Sequence, residues 1–153
     1  MGKKLRARPL ANGRAATNQF LKLTRSVYNS DNFKKLSAKA IKLLIDIAIQ
    51  YNGYNNGDLQ ASFEPMKKRG WNSSATLNVA KRELEYYGFI EMTRQGCLGR
   101  CSLYAVAWES IDECKGKIDC KPTRTPSMGF LESRKLFRFQ NKAKKRIRKN
   151  VIR

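Results

Sequence analysis

Histidine is missing altogether. With it go the side chain most often used as a general base near neutral pH and the commonest metal ligand. Acids are scarce too, twelve against thirty-two Lys and Arg. They form no D-x-D or paired motif, and no Gly-rich phosphate loop accompanies them, so an enzymatic role such as that of a nuclease has nothing to rest on. No catalytic residue, metal or cofactor is expected. No apolar run approaches the ~18 residues that span a bilayer. The longest, from Ile41 to Ile49, is broken by Lys42 and Asp46. The N-terminus is basic but lacks the continuous apolar stretch of a secretory signal. A cytoplasmic place in a bacterium or its phage is expected, with no membrane partner. Cysteine is confined to Cys97, Cys101, Cys114 and Cys120, with spacers of three, twelve and five residues. Structural zinc sites favour two-residue knuckles, and in a reducing compartment free thiols are the default. A zinc site or a disulfide stays open.

What the sequence does have is positive charge, unevenly placed. Residues 1–25 carry seven Lys/Arg and no acid, and residues 134–153 carry ten and no acid. The intervening 26–133 holds fifteen bases and all twelve acids, so +17 of the net +20 lies in two terminal arms. Such arms neutralise phosphates and release condensed counterions, the generic source of nucleic-acid affinity. The alternatives are a purely solubilising role or an anionic membrane surface, and neither arm shows the wide apolar face that the membrane needs.

Local patterns divide the chain into four parts. Residues 1–18 read as a basic, flexible arm and 19–108 as a folded domain; 109–130 read as a linker, and 131–153 as a basic tail that can turn helical when bound. In the domain, Gln19–Thr24 suits a short strand or an extended lead-in, and Asn29-Ser30-Asp31-Asn32 is turn chemistry. Ser37 then caps a helix over roughly 38–51, with Ala40, Ile41, Leu44, Ile45, Ala48 and Ile49 at helical spacing. Asn52–Gly57 ends it. Leu59–Ala61 suits a short strand. Ser62 opens a helix over about 63–69, and Gly70 closes it. Asn72-Ser73-Ser74 opens another over about 73–87, with Leu77, Ala80, Leu84 and Tyr87 as its apolar stripe. Strand-like runs at Phe89–Arg94 and Ser102–Trp108 flank a loop with two glycines, as in a hairpin. Phe33, Phe63, Trp71, Phe89, Tyr104 and Trp108 fall at core positions.

Helix, short strand, two helices and a hairpin is the order of a winged helix-turn-helix, an α+β fold of three helices plus a β-hairpin wing. The pattern is specific in places. Leu36-Ser37-x-x-Ala40, Tyr51-Asn52-Gly53-x-Asn55-Asn56-Gly57, Arg69-Gly70-Trp71 and Ala80-x-x-Glu83-Leu84 occur in order. Gly88-Phe89-Ile90-x-x-Thr93-Arg94-Gln95-Gly96 then leads into Ser102-Leu103-Tyr104-Ala105. On these residues the segment 19–108 resembles winged helix-turn-helix domain proteins of bacterial phages and mobile elements. Its front half is also similar to the N-terminal domains of phage and plasmid replication-initiation proteins. The order of elements, the basic arms and the resemblance together lead to the expectation of a double-stranded-DNA-binding protein without enzymatic activity, cytoplasmic and nucleoid-associated, acting as a transcriptional regulator or a replication or recombination accessory factor; the resemblance itself carries no established role. An RNA-binding or ribosome-associated basic protein is the alternative, and a homodimer is compatible with either.

Side-chain chemistry picks the candidate contacts. On the third helix, Ser73, Ser74, Asn78, Lys81 and Arg82 lie off the apolar stripe; Asn pairs with adenine and Arg with guanine in bidentate fashion. The plain alternative is the solvated face of an amphipathic helix. On the hairpin, Arg94, Gln95 and Arg100 suit the minor groove or adjacent phosphates. In the arms, Lys3, Lys4, Arg6 and Arg8, and Arg138, Lys142, Lys144, Lys145, Arg146, Arg148 and Lys149, are expected on phosphates. Lys67, Lys68 and Arg69 end the second helix, where they either complement its dipole or reach phosphate. Phe137 and Phe139 can stack on exposed bases, dock onto a partner or pack back on the domain.

Overall fold

Ser37 opens the helix around which the core is built. Its hydroxyl accepts from the Ala40 amide, capping α3 (Ala38–Ala48) as the sequence predicts. In the computed structural model, which describes residues 20–139, α3 is preceded by two short helices, α1 (Arg25–Asn29) and α2 (Asp31–Lys34). The second sits where turn chemistry is expected, because Ser30 accepts from the Phe33 amide and acts as its N-cap. Residues 20–24 are extended and without regular structure. After α3 come β1 (Leu59–Gln60), α4 (Phe63–Lys67), α5 (Ser74–Tyr86), β2 (Ile90–Arg94) and β3 (Leu103–Val106). Among the described residues the class is α+β, five α-helices with a small antiparallel sheet in the order β1-β3-β2, compatible with the expected winged helix.

The core lies between α3, α5 and the sheet. Trp71, Phe89, Tyr104 and Trp108 are buried, while Phe33 and Phe63 pack partly buried against them. The buried face of α3 is rotated from the expected one: Leu43 and Ile47 point inward with Leu44, whereas Ile45 and Ile49 are about half exposed (46% and 45%). A helix face is set by what surrounds it, and two isoleucines spaced four apart do not by themselves say which side is covered.

The stretch 109–130 is not a free linker. Asn56, fully buried, donates through Nδ2 to the carbonyls of Glu109 and Ser110 at 3.0 Å, and its amide donates to Asp112 at 2.7 Å. Phe130 is buried and stacks on Phe89, 5.6 Å between centroids. The chain then runs along α2 and α5: Asn32 donates to the carbonyls of Phe130 and Glu132, and Lys35 to that of Arg134. Residues 132–139 are non-helical. Polarity and turn-forming residues suggested a linker, but backbone groups that find buried partners hold such a segment in place.

Candidate nucleic-acid interface

The turn between α4 and α5 is fixed by one carboxylate. Asp46, buried on α3, accepts from Trp71 Nε1 at 2.8 Å and from Lys42 Nζ at 2.7 Å, with Arg69 Nη1 3.7 Å away. Lys42 also donates to the Arg69 carbonyl and lies over the Trp71 ring. Gly70 takes φ +86, the left-handed conformation that ends α4 and starts the turn. Arg69 is thus partly committed to Asp46, while Lys67 and Lys68 stay exposed. At the other end of α5, buried Glu83 accepts from the Ser37 amide (2.6 Å) and hydroxyl (2.7 Å), which ties it to the start of α3.

These ties present the N-terminal turn of α5 to solvent. Asn72 to Thr76 are all exposed, and so are Asn78 and Arg82. The Ser73 hydroxyl is used as N-cap, accepting from the Thr76 amide, and Ser74 is free on the surface. Lys81 differs from its neighbours. It is half-buried, and burial pushes its ammonium below the usual range, with Glu85 opposing and Arg82 adding to the shift. Of the five α5 residues expected to face a ligand, Asn78, Arg82 and Ser74 are open, Ser73 is a cap and Lys81 is partly withdrawn.

The hairpin loop splits in the same way. Gln95 and Arg100 are exposed. Arg94 is partly committed within the fold: its guanidinium donates to the carbonyls of Lys117 and Cys101, both at 3.1 Å. A bulge between Met92 and Arg94 leaves Thr93 turned inward, its hydroxyl donating to the Gly57 carbonyl at 2.6 Å. Position at the base of a hairpin suggests a contact role for Arg94; the folded 109–119 segment adds a bracing one.

Sequence reasoning missed how the tail meets α5. The Phe137 amide donates to the Tyr87 hydroxyl, and its ring packs on Tyr86 at 5.5 Å. Phe139 lies under the Arg82 guanidinium at 5.3 Å. Of the fates open to these rings, the structure shows packing on the domain, which brings the exposed Arg138 to the flank of α5. Spacing relative to α5 gave no local signal, since the partners lie some fifty residues apart. The arm residues Lys3, Lys4, Arg6 and Arg8, and Lys142, Lys144, Lys145, Arg146, Arg148 and Lys149, lie outside the described residues.

Among the described residues, no group of three or more Cys, Asp or Glu side chains is placed to hold a metal. The four cysteines are free thiols, Cys114 buried and pushed up in pKa by that burial, Cys97 and Cys120 exposed. No described helix is long and apolar enough to cross a membrane. Compared with known proteins, the chain matches no family model, no curated protein and no solved structure.

Proposed function

We propose that this chain is a non-enzymatic, double-stranded-DNA-binding protein with a winged helix-turn-helix domain, serving a phage or mobile element as a transcriptional regulator or a replication or recombination accessory factor. The observation that carries the reading is the exposed face of α5, with Asn78 and Arg82 open, the Asp46–Trp71 pair fixing the turn that precedes the helix and Glu83 tying it to the start of α3. In this reading α5 enters the major groove, where Asn78 and Arg82 address base edges and the free amides at its start approach a phosphate. Gln95 and Arg100 on the wing reach the adjacent minor groove or backbone. Lys67, Lys68 and Arg138 flank α5 and, with the basic arms, supply sequence-independent affinity.

A selection from a random duplex library at two salt concentrations tests this. The expected result is an enriched motif of defined length, palindromic if the protein binds as a dimer. Asn78→Ala and Arg82→Ala should each lower the preference for that motif over random DNA by roughly tenfold, the scale of one bidentate base contact. Tight binding without any motif, or preference for RNA over duplex DNA, would reject the reading and favour a basic RNA-binding protein instead.

A further inference from the structure

The hairpin loop ends in an apolar point that arginine contacts do not use. Between β2 and β3 the chain reverses at Cys97–Arg100, where the Cys97 amide donates to the Arg100 carbonyl and the Arg100 amide to the Cys97 carbonyl, both at 3.0 Å. Gly99 at φ +77 completes the turn. Leu98 stands at the apex with its whole side chain in solvent, the most exposed large apolar side chain among the described residues (103%). A single exposed leucine is ordinary on a protein surface. What distinguishes this one is its mounting. Below the turn, the Gly96 amide donates to the Ser102 hydroxyl at 3.0 Å, and a Cβ on Gly96 would come within 2.7 Å of the Ser102 amide nitrogen. Arg94 braces the base against Cys101 and Lys117. Glycines at 96 and 99 keep the tip slim, and no acid occurs from residue 92 to residue 108, so nothing on the loop repels phosphates.

We infer that Leu98 is a wedge that enters the minor groove and partly unstacks a base step, bending the duplex; this rests on reading the hairpin as a DNA-contacting wing. The minor groove is only about 6 Å wide, which admits a slim tip but not a broad one. Proteins that kink DNA from this side insert an apolar side chain between base pairs while neighbouring arginines hold the phosphates. Arg100, two residues from the wedge and exposed, and Gln95 fit the second task. The preferred site is a flexible pyrimidine–purine step, which costs least to unstack.

The test uses the full chain and a 30-base-pair A·T-rich duplex with central TA steps, carrying a donor and an acceptor dye at its two ends. Anisotropy reads binding and energy transfer reads bending. The parent should raise energy transfer as a kink of about 20–90° does. Leu98→Ala should remove at least about half of that rise while binding within about tenfold of the parent, and Leu98→Phe should keep it. Thermal unfolding of the two variants should match the parent, because an exposed apex contributes little to the fold. A parent that binds without bending, or a Leu98→Ala variant that bends as fully as the parent, overturns the wedge and leaves DNA binding intact. No anisotropy change with the parent rejects the DNA-binding reading itself, and the wedge with it.

Discussion

Glu85 is the least settled side chain of α5. Its Oε1 is buried without a hydrogen-bond partner. Burial holds its carboxyl above the usual range, outweighing the nearby positive charges of Lys81 and Arg82. Its charge also adds to the burial that pushes the Tyr104 phenol up to about 12. A carboxyl whose folded pKa is raised binds more protons folded than unfolded, so it costs stability as pH rises from its ordinary value of 4.5 through the folded value. Glu85→Gln should therefore raise the unfolding midpoint at pH 7.5, by about 1 kcal/mol or several degrees, and bring no gain at pH 4. Thermal melts at the two pH values decide it, and an equal shift at both would assign the effect to packing alone. The sequence pattern already contained Glu83, Asn56 and Thr93, yet nothing local said what they do. Each works through a partner more than thirty residues away: Ser37, the 106–112 backbone and Gly57. Arg94 shows the converse, a residue whose local position suggested a ligand contact and whose guanidinium also takes tertiary partners, the Lys117 and Cys101 carbonyls.

Elements were legible in proportion to their length. The 11 residues of α3 and 13 of α5 carry caps and several turns of periodic apolar residues, so both were read close to their true bounds. The five- and four-residue α1 and α2 are too short to show a period and were not anticipated. Gly88, just past the end of α5, takes φ +72, the left-handed conformation that closes a helix. The structure adds a second demand, since a Cβ there would lie 2.6 Å from the Gly129 carbonyl carbon and 2.7 Å from its oxygen. The end of α5 and the turn that inserts Phe130 thus cross backbone to backbone. Gly88→Ala should cost about 2–4 kcal/mol, from the left-handed conformation and the displaced strand of chain together. Gly53, at φ +97 with open space around it, supplies the comparison: Gly53→Ala should cost only about 1 kcal/mol. Denaturant unfolding that gave equal losses would show that the 128–131 turn moves aside freely.

At the scale of the molecule, the boundary of the folded unit lies well beyond the hairpin. Local composition placed it at 108, because 109–130 is polar and rich in turn formers. Its anchors are long-range and therefore invisible in a window: Asn56 with 106–112, Asp58 with Lys117, Asn32 with 130–134, and Phe89 with Phe130. Removing the segment would leave the Asn56 backbone amide without Asp112, its side chain with Val106 alone, and the Phe89 face exposed. Those losses, about 1–3 kcal/mol for the amide and about 3–5 for the lost aromatic, rival the whole stability of a small domain. A chain ending at 108 should lose its cooperative thermal transition, whereas one ending at 139 should melt with the parent. The longer truncation also isolates the charge. It removes seven Lys/Arg and no acid from 140–153. If those bases contact phosphates, the slope of log affinity against log salt should become shallower by up to about six. The ranking of duplex sequences should stay as it is, since α5 and the hairpin remain. A truncation at 139 that altered the ranking and left the slope unchanged would place specificity in the tail, and α5 would lose its role as reader.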